Sequence, residues 1–244
     1  MGSIIIVGAG PALGQAFARQ FGKEGLHVGL IARDSVRLEA QVAELAREGI
    51  AASAQSADVL NRQALIEAIG RLEQVGGPAD VLCYNPTPQR DRLVLPQDLE
   101  PEDAIHQLEY SLLGAIAAVR AVLPGMIERG NGSLLLTGAY SARYPIPSHS
   151  NAGLALAGLR NYAYVLNRSL KDKGVYAGTI TIAGIVRHSA TDDRLTLTQP
   201  QRRVQVEPVM VDPENIAATY WDMASKRDRV EEVVGDADII ETWE

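Results

Sequence analysis

The chain of 244 residues is 46% hydrophobic and 22% charged, a composition typical of a globular protein large enough to bury a sizeable core. Its formal net charge of −7 argues against nucleic acid or an anionic membrane surface as a partner, because both attract basic surfaces. Cys83 is the single cysteine and the four histidines never fall at ligand spacing, so neither a disulfide framework within one chain nor a metal site is predicted.

Two further exclusions concern location and domain number. No charged leader precedes the first apolar segment, and we expect no apolar run long enough to span a bilayer, which predicts a cytoplasmic protein. No linker-like change of composition interrupts residues 1–244, so we expect one domain.

The first predicted elements are an apolar strand at 3–7, a glycine-rich turn and an amphipathic helix. The glycines of this turn are Gly8, Gly10 and Gly14. A dinucleotide pyrophosphate needs backbone N–H groups and a helix N-terminus pointed at it, and side chains at the turn would hold it away. Gly8 is expected to permit the tight turn, Gly10 the approach of the ligand and Gly14 the packing of the helix on the sheet. The pattern therefore predicts a phosphate loop, with a plain glycine turn as the alternative.

Strands and helices then alternate along the chain. Further strands are predicted at 26–32, 50–57, 79–84, 133–137, 175–182 and 229–234. Further helices are predicted at 35–49, around 65–72, at 102–129, at 151–173 and from 212 onward. This series predicts an α/β fold, a single-domain Rossmann-like doubly wound parallel sheet of about seven strands with helices on both faces. Its ligand is expected at the carboxyl ends of the strands.

Two connections are too long for simple turns. Pro86, Pro88 and Pro96 predict an extended loop after the fourth strand. The polar segment 187–212 predicts a substrate loop or lid over the site, with a disordered loop as the alternative.

At this point the chain resembles the short-chain dehydrogenase/reductase family over nearly its whole length. The family pattern Thr-Gly-x-x-x-Gly-x-Gly is similar to Val-Gly-Ala-Gly-Pro-Ala-Leu-Gly at 7–14, where Ala12 replaces the middle glycine. Asp58 resembles the family aspartate that contacts adenine, and Asn85 resembles a remnant of Asn-Asn-Ala-Gly. The segment from Ile182 to Val186 matches a family landmark, although alanine stands there in place of the usual proline.

The resemblance implies a bound nicotinamide cofactor, a small-molecule substrate and a homodimer or homotetramer formed through the two long helices. The residues that it implies for the cofactor are Gly8, Gly10, Ala12, Leu13, Gly14, Arg33, Asp58, Asn85, Gly184 and Val186.

The choice between NAD and NADP depends on the end of the second strand. An acidic residue there binds the ribose 2′-OH of NAD, whereas an arginine favours the 2′-phosphate of NADP. The family's NAD aspartate aligns with Ala32, and Arg33 occupies the position seen in members that prefer NADP. We therefore expect NADP over NAD, with Asp34 as a helix N-cap.

The family's four catalytic positions are all changed. The resemblance implies a tyrosine, a lysine four residues later, a serine after the fifth strand and an asparagine on the long helix. The aligned residues are His149, Gly153, Ala139 and Ser111. In the family the ammonium group of the lysine lowers the pKa of the tyrosine from ~10 toward neutrality, and this chain lacks both partners.

Three nearby residues are candidates for altered roles. His149 has a reference pKa near ~6.5 and is able to donate a proton without a lysine, and Ser141 is able to orient a carbonyl group. Tyr144 is a third candidate in the same loop. The alternatives are a solvent-facing loop histidine and an aromatic packing role for Tyr144.

These observations leave three functions open. The first is an NADP(H)-dependent oxidoreductase with an atypical catalytic site that acts on a small carbonyl or alcohol. The second is a non-catalytic cofactor-binding protein, a sensor or partner subunit. The third, a lyase or dehalogenase-like enzyme without nicotinamide, ranks last because such relatives retain the tyrosine and lose the glycine loop.

Overall fold

The computed structural model describes residues 2–86, 93–205 and 207–236. Part of the proline-rich loop, including Pro88, lies outside these ranges. The strands of the main sheet are β1 (Ser3–Val7), β2 (His27–Ala32), β3 (Ala52–Ser56), β4 (Ala79–Tyr84), β5 (Gly132–Ala139), β6 (Val175–Ala183) and, at the end of the chain, β9 (Glu231–Gly235). Two short strands, β7 (Ile185–Val186) and β8 (Met210–Val211), form a separate sheet. The helices are α1 (Leu13–Lys23), α2 (Ser35–Arg47), α3 (Arg62–Gly76), α4 (Pro101–Leu108), α5 (Gly114–Arg129), α6 (Ser150–Leu170), α7 (Ala190–Thr198), α8 (Pro200–Gln205) and α9 (Pro213–Lys226).

The main sheet has seven strands in the order β3-β2-β1-β4-β5-β6-β9, and every neighbouring pair is parallel. The predicted Rossmann-like, doubly wound sheet is therefore confirmed. The chain runs outward from β1 to β3 and then crosses to β4 on the other side of β1. A crevice opens at such a reversal, beyond the carboxyl ends of the strands, and this is where α/β proteins bind ligands.

The apolar run of β1 is explained by helices on both faces of the sheet. Ile4 and Ile6 belong to the core cluster that contains Phe17 of α1, whereas Ile5 and Val7 belong to the cluster on the opposite face. Successive strand residues point to opposite faces, so a strand covered on both sides needs an apolar residue at every position.

The long helix predicted at 102–129 is interrupted by a π-helical segment, Glu109–Leu113, between α4 and α5. The hydroxyl of Tyr84, at the end of β4, donates a 2.6 Å hydrogen bond to the carbonyl oxygen of Tyr110. A side chain at Gly114 would collide with the same hydroxyl. The wider turn thus supplies a carbonyl acceptor for Tyr84, a tertiary contact that helical periodicity alone does not reveal.

This stretch also departs from the expectation that no apolar run could span a bilayer. Among the described residues, the helical stretch Pro101–Arg129 is long and apolar enough to cross a membrane, judged by length and composition alone. Half of its most apolar window is buried inside the protein, and α5 packs against α3, β4 and β5. A core helix meets the same criteria, so the stretch is only a weak indication of a membrane span.

The segment 187–212 consists largely of helices α7 and α8 and strand β8 in its described part, which leaves out 206. Strand β8 pairs with β7. The guanidinium of Arg187 pairs with Glu207 at 2.6 Å. Leu195 of α7 is buried against Ile185 and Val209. Both ends of the segment are therefore held against the end of β6; its action as a lid stays a prediction.

Candidate cofactor and active site

A cleft of about 580 Å³ lies at the carboxyl edge of the sheet. One end is formed by the glycine turn and the loops after β2 and β3, and the other by the end of β5, the start of α6 and the segment that follows β6. The cleft is lined by all ten residues that the family resemblance implies for the cofactor: Gly8, Gly10, Ala12, Leu13, Gly14, Arg33, Asp58, Asn85, Gly184 and Val186.

The three glycines of the turn differ in what the fold requires of them. Gly8 has a φ of +85°, and a Cβ there would lie 2.6 Å from the carbonyl carbon of Asn85. A Cβ at Gly14 would lie 2.7 Å from backbone atoms of Ala9. At Gly10 a Cβ would meet nothing within 4 Å. Gly8 and Gly14 therefore serve the packing of the turn, while Gly10 keeps the adjoining part of the cleft open.

The N-terminus of α1 fits an anionic ligand. Its N-cap residue, Ala12, has no capping side chain, and the first turn holds no acidic residue. No hydrogen bond among the described residues uses the N–H groups of Leu13 or Gly14. Free N–H groups at a helix N-terminus carry partial positive charge, so this turn can bind a pyrophosphate.

Two arginines stand at the end of the cleft nearest α2. Arg33 has no ion-pair partner among the described residues, and Arg37 lies only loosely, at 3.9 Å, against Asp34. Asp34 accepts the N–H of Arg37 at 3.0 Å and caps α2, as the sequence predicts. Sequence reasoning missed Arg37, although its spacing of four residues from Arg33 at a helix start was a usable signal. Two guanidinium groups at this rim supply donors for an anionic group.

The opposite end of the cleft brings Ser141 and His149 together. Ser141 lies in a 3-10 turn after β5, and His149 ends a second 3-10 turn before α6. The Nδ1 atom of His149 is 3.0 Å from the hydroxyl oxygen of Ser148. Tyr144 is absent from the lining and instead stacks on Tyr140 with ring centroids 4.4 Å apart. The structure thus gives Tyr144 the packing role that the sequence left open.

Gly153, at the family's lysine position, lies close to the turn that carries Ser141. A Cβ at Gly153 would lie 3.2 Å from the carbonyl oxygen of Ser141, closer than an ordinary contact. The missing side chain therefore lets α6 pack closely on the turn that carries Ser141.

The model of the short chain dehydrogenase family matches residues 3–197. The chain belongs to the short-chain dehydrogenase family. No tyrosine in its sequence is followed by a lysine four residues later, so this family member lacks the tyrosine and lysine pair described above.

The individual relatives share little sequence identity with this chain. A short chain dehydrogenase of Pseudocercospora fijiensis is 28% identical over 70% of this chain, which spans only 55% of that protein. The NADP-dependent 3-hydroxy acid dehydrogenase YdfG of Salmonella typhi is 27% identical over 91% of this chain and 88% of its own length. An NADPH-bound short chain oxidoreductase from Pseudomonas aeruginosa, described as containing an atypical catalytic center, superimposes with a TM-score of 0.85 at 22% identity. That match covers 97% of this chain and 96% of the other.

Another tyrosine of this short-chain dehydrogenase, Tyr110, lines the cleft and was not anticipated. Burial raises its pKa, while the charges of Arg33 and Asp58 act on the pKa in opposite directions. Both charges belong to the end of the cleft near β2 and β3. The phenol of Tyr110 is therefore within reach of the charges at that end of the cleft.

Ser111, at the family's asparagine position, does not line the cleft. It is 2% exposed, and neither its hydroxyl nor the amide of Gln107, one helical turn earlier, has a hydrogen-bond partner among the described residues. Buried polar groups of this kind are commonly satisfied by internal water.

Proposed function

We propose that this short-chain dehydrogenase binds NADP(H) and interconverts a small carbonyl compound and its alcohol. One observation carries the proposal: a single cleft joins the glycine turn and Arg33 to Ser141 and His149. The NADP-dependent name of the Salmonella relative and the NADPH in the Pseudomonas neighbour support NADP over NAD.

Charge and backbone geometry explain how one end of the cleft would bind the cofactor. Gly10 and the free N–H groups of α1 would hold the pyrophosphate, and Arg33 with Arg37 would pair with the 2′-phosphate. When bound, the nicotinamide supplies or accepts the hydride at the substrate carbon.

The chain's own residues would manage the proton at the substrate oxygen. The hydroxyl of Ser141 would donate a hydrogen bond to that oxygen and polarise the carbonyl. The imidazolium of His149 would deliver a proton to the same oxygen during reduction and take it back during oxidation. Ser148, next to Nδ1, would fix the ring so that Nε2 faces the substrate.

The test of this mechanism is NADPH consumption by the purified protein across a broad carbonyl panel. We expect His149→Gln and Ser141→Ala each to lower kcat/KM by roughly 100-fold or more, whereas Tyr144→Phe, outside the cleft, leaves it unchanged. Wild-type turnover that persists in His149→Gln would contradict the proton-transfer role.

The NADP preference has its own test. Arg33→Ala should weaken NADPH binding by about tenfold and leave NADH binding nearly unchanged, because only NADPH carries the 2′-phosphate. Equal losses for both nucleotides in calorimetry would contradict the assignment of Arg33.

A second candidate function is non-catalytic binding of the same cofactor. It is favoured by the missing tyrosine and lysine and by the close packing of Gly153 on Ser141. NADPH binding without turnover, together with activity gained only in the double variant His149→Tyr plus Gly153→Lys, would favour non-catalytic cofactor binding. A protein that bound neither NADPH nor NADH would contradict both candidates.

We further propose a cytoplasmic homodimer or homotetramer that pairs through its long helices. Leu154 and Val165 of α6 are 55% and 54% exposed, and such apolar side chains support a partner on that helix. Light scattering of the purified protein tests the assembly, and a monomer at micromolar concentration would contradict it.

A further inference from the structure

Helix α7 places a charged side chain in the cleft. Ala190, Thr191 and Arg194 all line the cleft, and their spacing puts them on one face of the helix. Ser189 caps the helix by accepting the N–H of Asp192 at 3.3 Å. Leu195 is buried against the small sheet beneath. The direction in which α7 presents Arg194 is therefore set by packing.

The charges that line the cleft are unevenly distributed. Arg33, Asp34, Arg37 and Asp58 follow β2 and β3, at the end assigned to the adenosine. Helix α7 follows β6, which pairs with β5, and β5 leads into the turn of Ser141. Among the described lining residues at this end, Arg194 is the only aspartate, glutamate, lysine or arginine.

The guanidinium of Arg194 has no ion pair or hydrogen bond with any described residue. Its neighbours are already engaged. The carboxylate of Asp192 accepts the N–H of His188 at 2.8 Å, and Arg187 is paired with Glu207. Arg194 lines the cleft and is exposed, so its N–H donors are available to an anionic ligand that enters there.

We propose that Arg194 binds the carboxylate of the substrate, so that the enzyme acts on small oxo acids and the corresponding hydroxy acids. This inference rests on the proposed oxidoreductase function. A guanidinium matches a carboxylate with two parallel hydrogen bonds, which recognises the anion and orients it. Leu156 and Ala190 form apolar walls of the same end of the cleft, which suits a short hydrocarbon between the carboxylate and the reacting carbonyl.

The test compares 2-, 3- and 4-oxo acids of four to six carbons with their methyl esters. Wild-type protein, Arg194→Gln, Arg194→Lys and Arg168→Gln are assayed for NADPH consumption and, with NADPH present, for the thermal shift that each compound produces. Arg168 is exposed on α6 outside the cleft, so Arg168→Gln is a matched removal of charge. NADPH affinity of each variant is measured separately.

We expect wild-type protein and Arg168→Gln to prefer at least one acid over its ester. Arg194→Gln should lose that preference by about tenfold or more, with an unchanged NADPH affinity, and Arg194→Lys should restore part of it. The thermal shift gives the same comparison if no turnover occurs. No acid preference in wild-type protein, or an NADPH affinity that falls with Arg194→Gln, would overturn the inference. Failure to bind NADPH at all would instead contradict the proposed function.

Discussion

Replacing Gly10 by alanine separates cofactor binding from folding. A Cβ at Gly10 would meet nothing within 4 Å, so the free energy of unfolding should change by no more than about 0.5 kcal/mol. Gly10 lines the cleft beside the uncapped N-terminus of α1, where the pyrophosphate is expected. A methyl group that crowds this ligand should cost about 1–3 kcal/mol of binding energy, or roughly 5- to 150-fold in NADPH affinity.

The control for this variant is Gly14→Ala. Its Cβ would lie 2.7 Å from two backbone atoms of Ala9, which cannot move aside without shifting the turn. We expect a loss of about 1–3 kcal/mol in the free energy of unfolding. Urea denaturation without cofactor measures the stability of both variants, and titration of NADPH fluorescence measures binding. A Gly10→Ala protein with wild-type stability and wild-type NADPH affinity would refute the assignment of the glycine turn to the pyrophosphate.

Three further substitutions test interactions outside the cleft. Tyr84→Phe leaves the carbonyl of Tyr110 without its donor and should destabilise the protein by about 1–3 kcal/mol in urea denaturation; an unchanged midpoint would contradict the role given to this hydrogen bond. Burial alone would raise the pKa of Glu231, but three hydrogen bonds, that from Arg160 foremost, outweigh it and lower the pKa to about 2. The ionised Glu231 carboxylate therefore stabilises the fold above its unfolded pKa of about 4.3, and this stability is lost as the pH falls toward 2. Glu231→Gln should lower the free energy of unfolding by about 2–3 kcal/mol at neutral pH and by progressively less in acid. Burial lowers the pKa of His27, so the stability that this side chain confers above about pH 6.5 should decline on acidification; a wild-type protein and a His27→Gln variant with identical pH profiles would contradict this.

Much of the fold could be predicted from the sequence because its signals are local. The apolar run at 3–7 is buried on both faces of the sheet, as an uninterrupted apolar strand should be. Asp34 caps α2 through an N–H three residues away, and Pro213 begins α9 at its first position. In each case the residues that cause the structure are neighbours in the chain.

The position of the cleft could be expected for a related reason, while the cofactor roles of its residues stay predictions. The carboxyl ends of parallel strands meet at one edge, so the predicted sheet placed a ligand there. Asp58 and Asn85, which follow β3 and β4 and line the cleft, were named from the family resemblance. Ser141, beyond β5, was likewise named because it lies two residues after the family's serine position.

What only the tertiary structure decided depends on contacts between distant parts of the chain. The π-helical segment accompanies a hydrogen bond from Tyr84, which lies 26 residues before Tyr110. The sequence left both Tyr144 and His149 as candidates for the site, and in the folded loop only His149 lines the cleft while Tyr144 stacks on Tyr140.

Arg194 shows the same limit. In the sequence it is one charge in a polar segment, and only the packing of α7 against β7 places it in the cleft that His149 also lines. The glycine turn at 8–14 could be predicted because its sequence signal is local: the glycines follow an apolar strand and open an amphipathic helix. The residues that would contact a substrate could not be predicted in this way. Their positions are set by packing between helices and strands that are far apart in the chain, and the sequence does not show which of these lie close together.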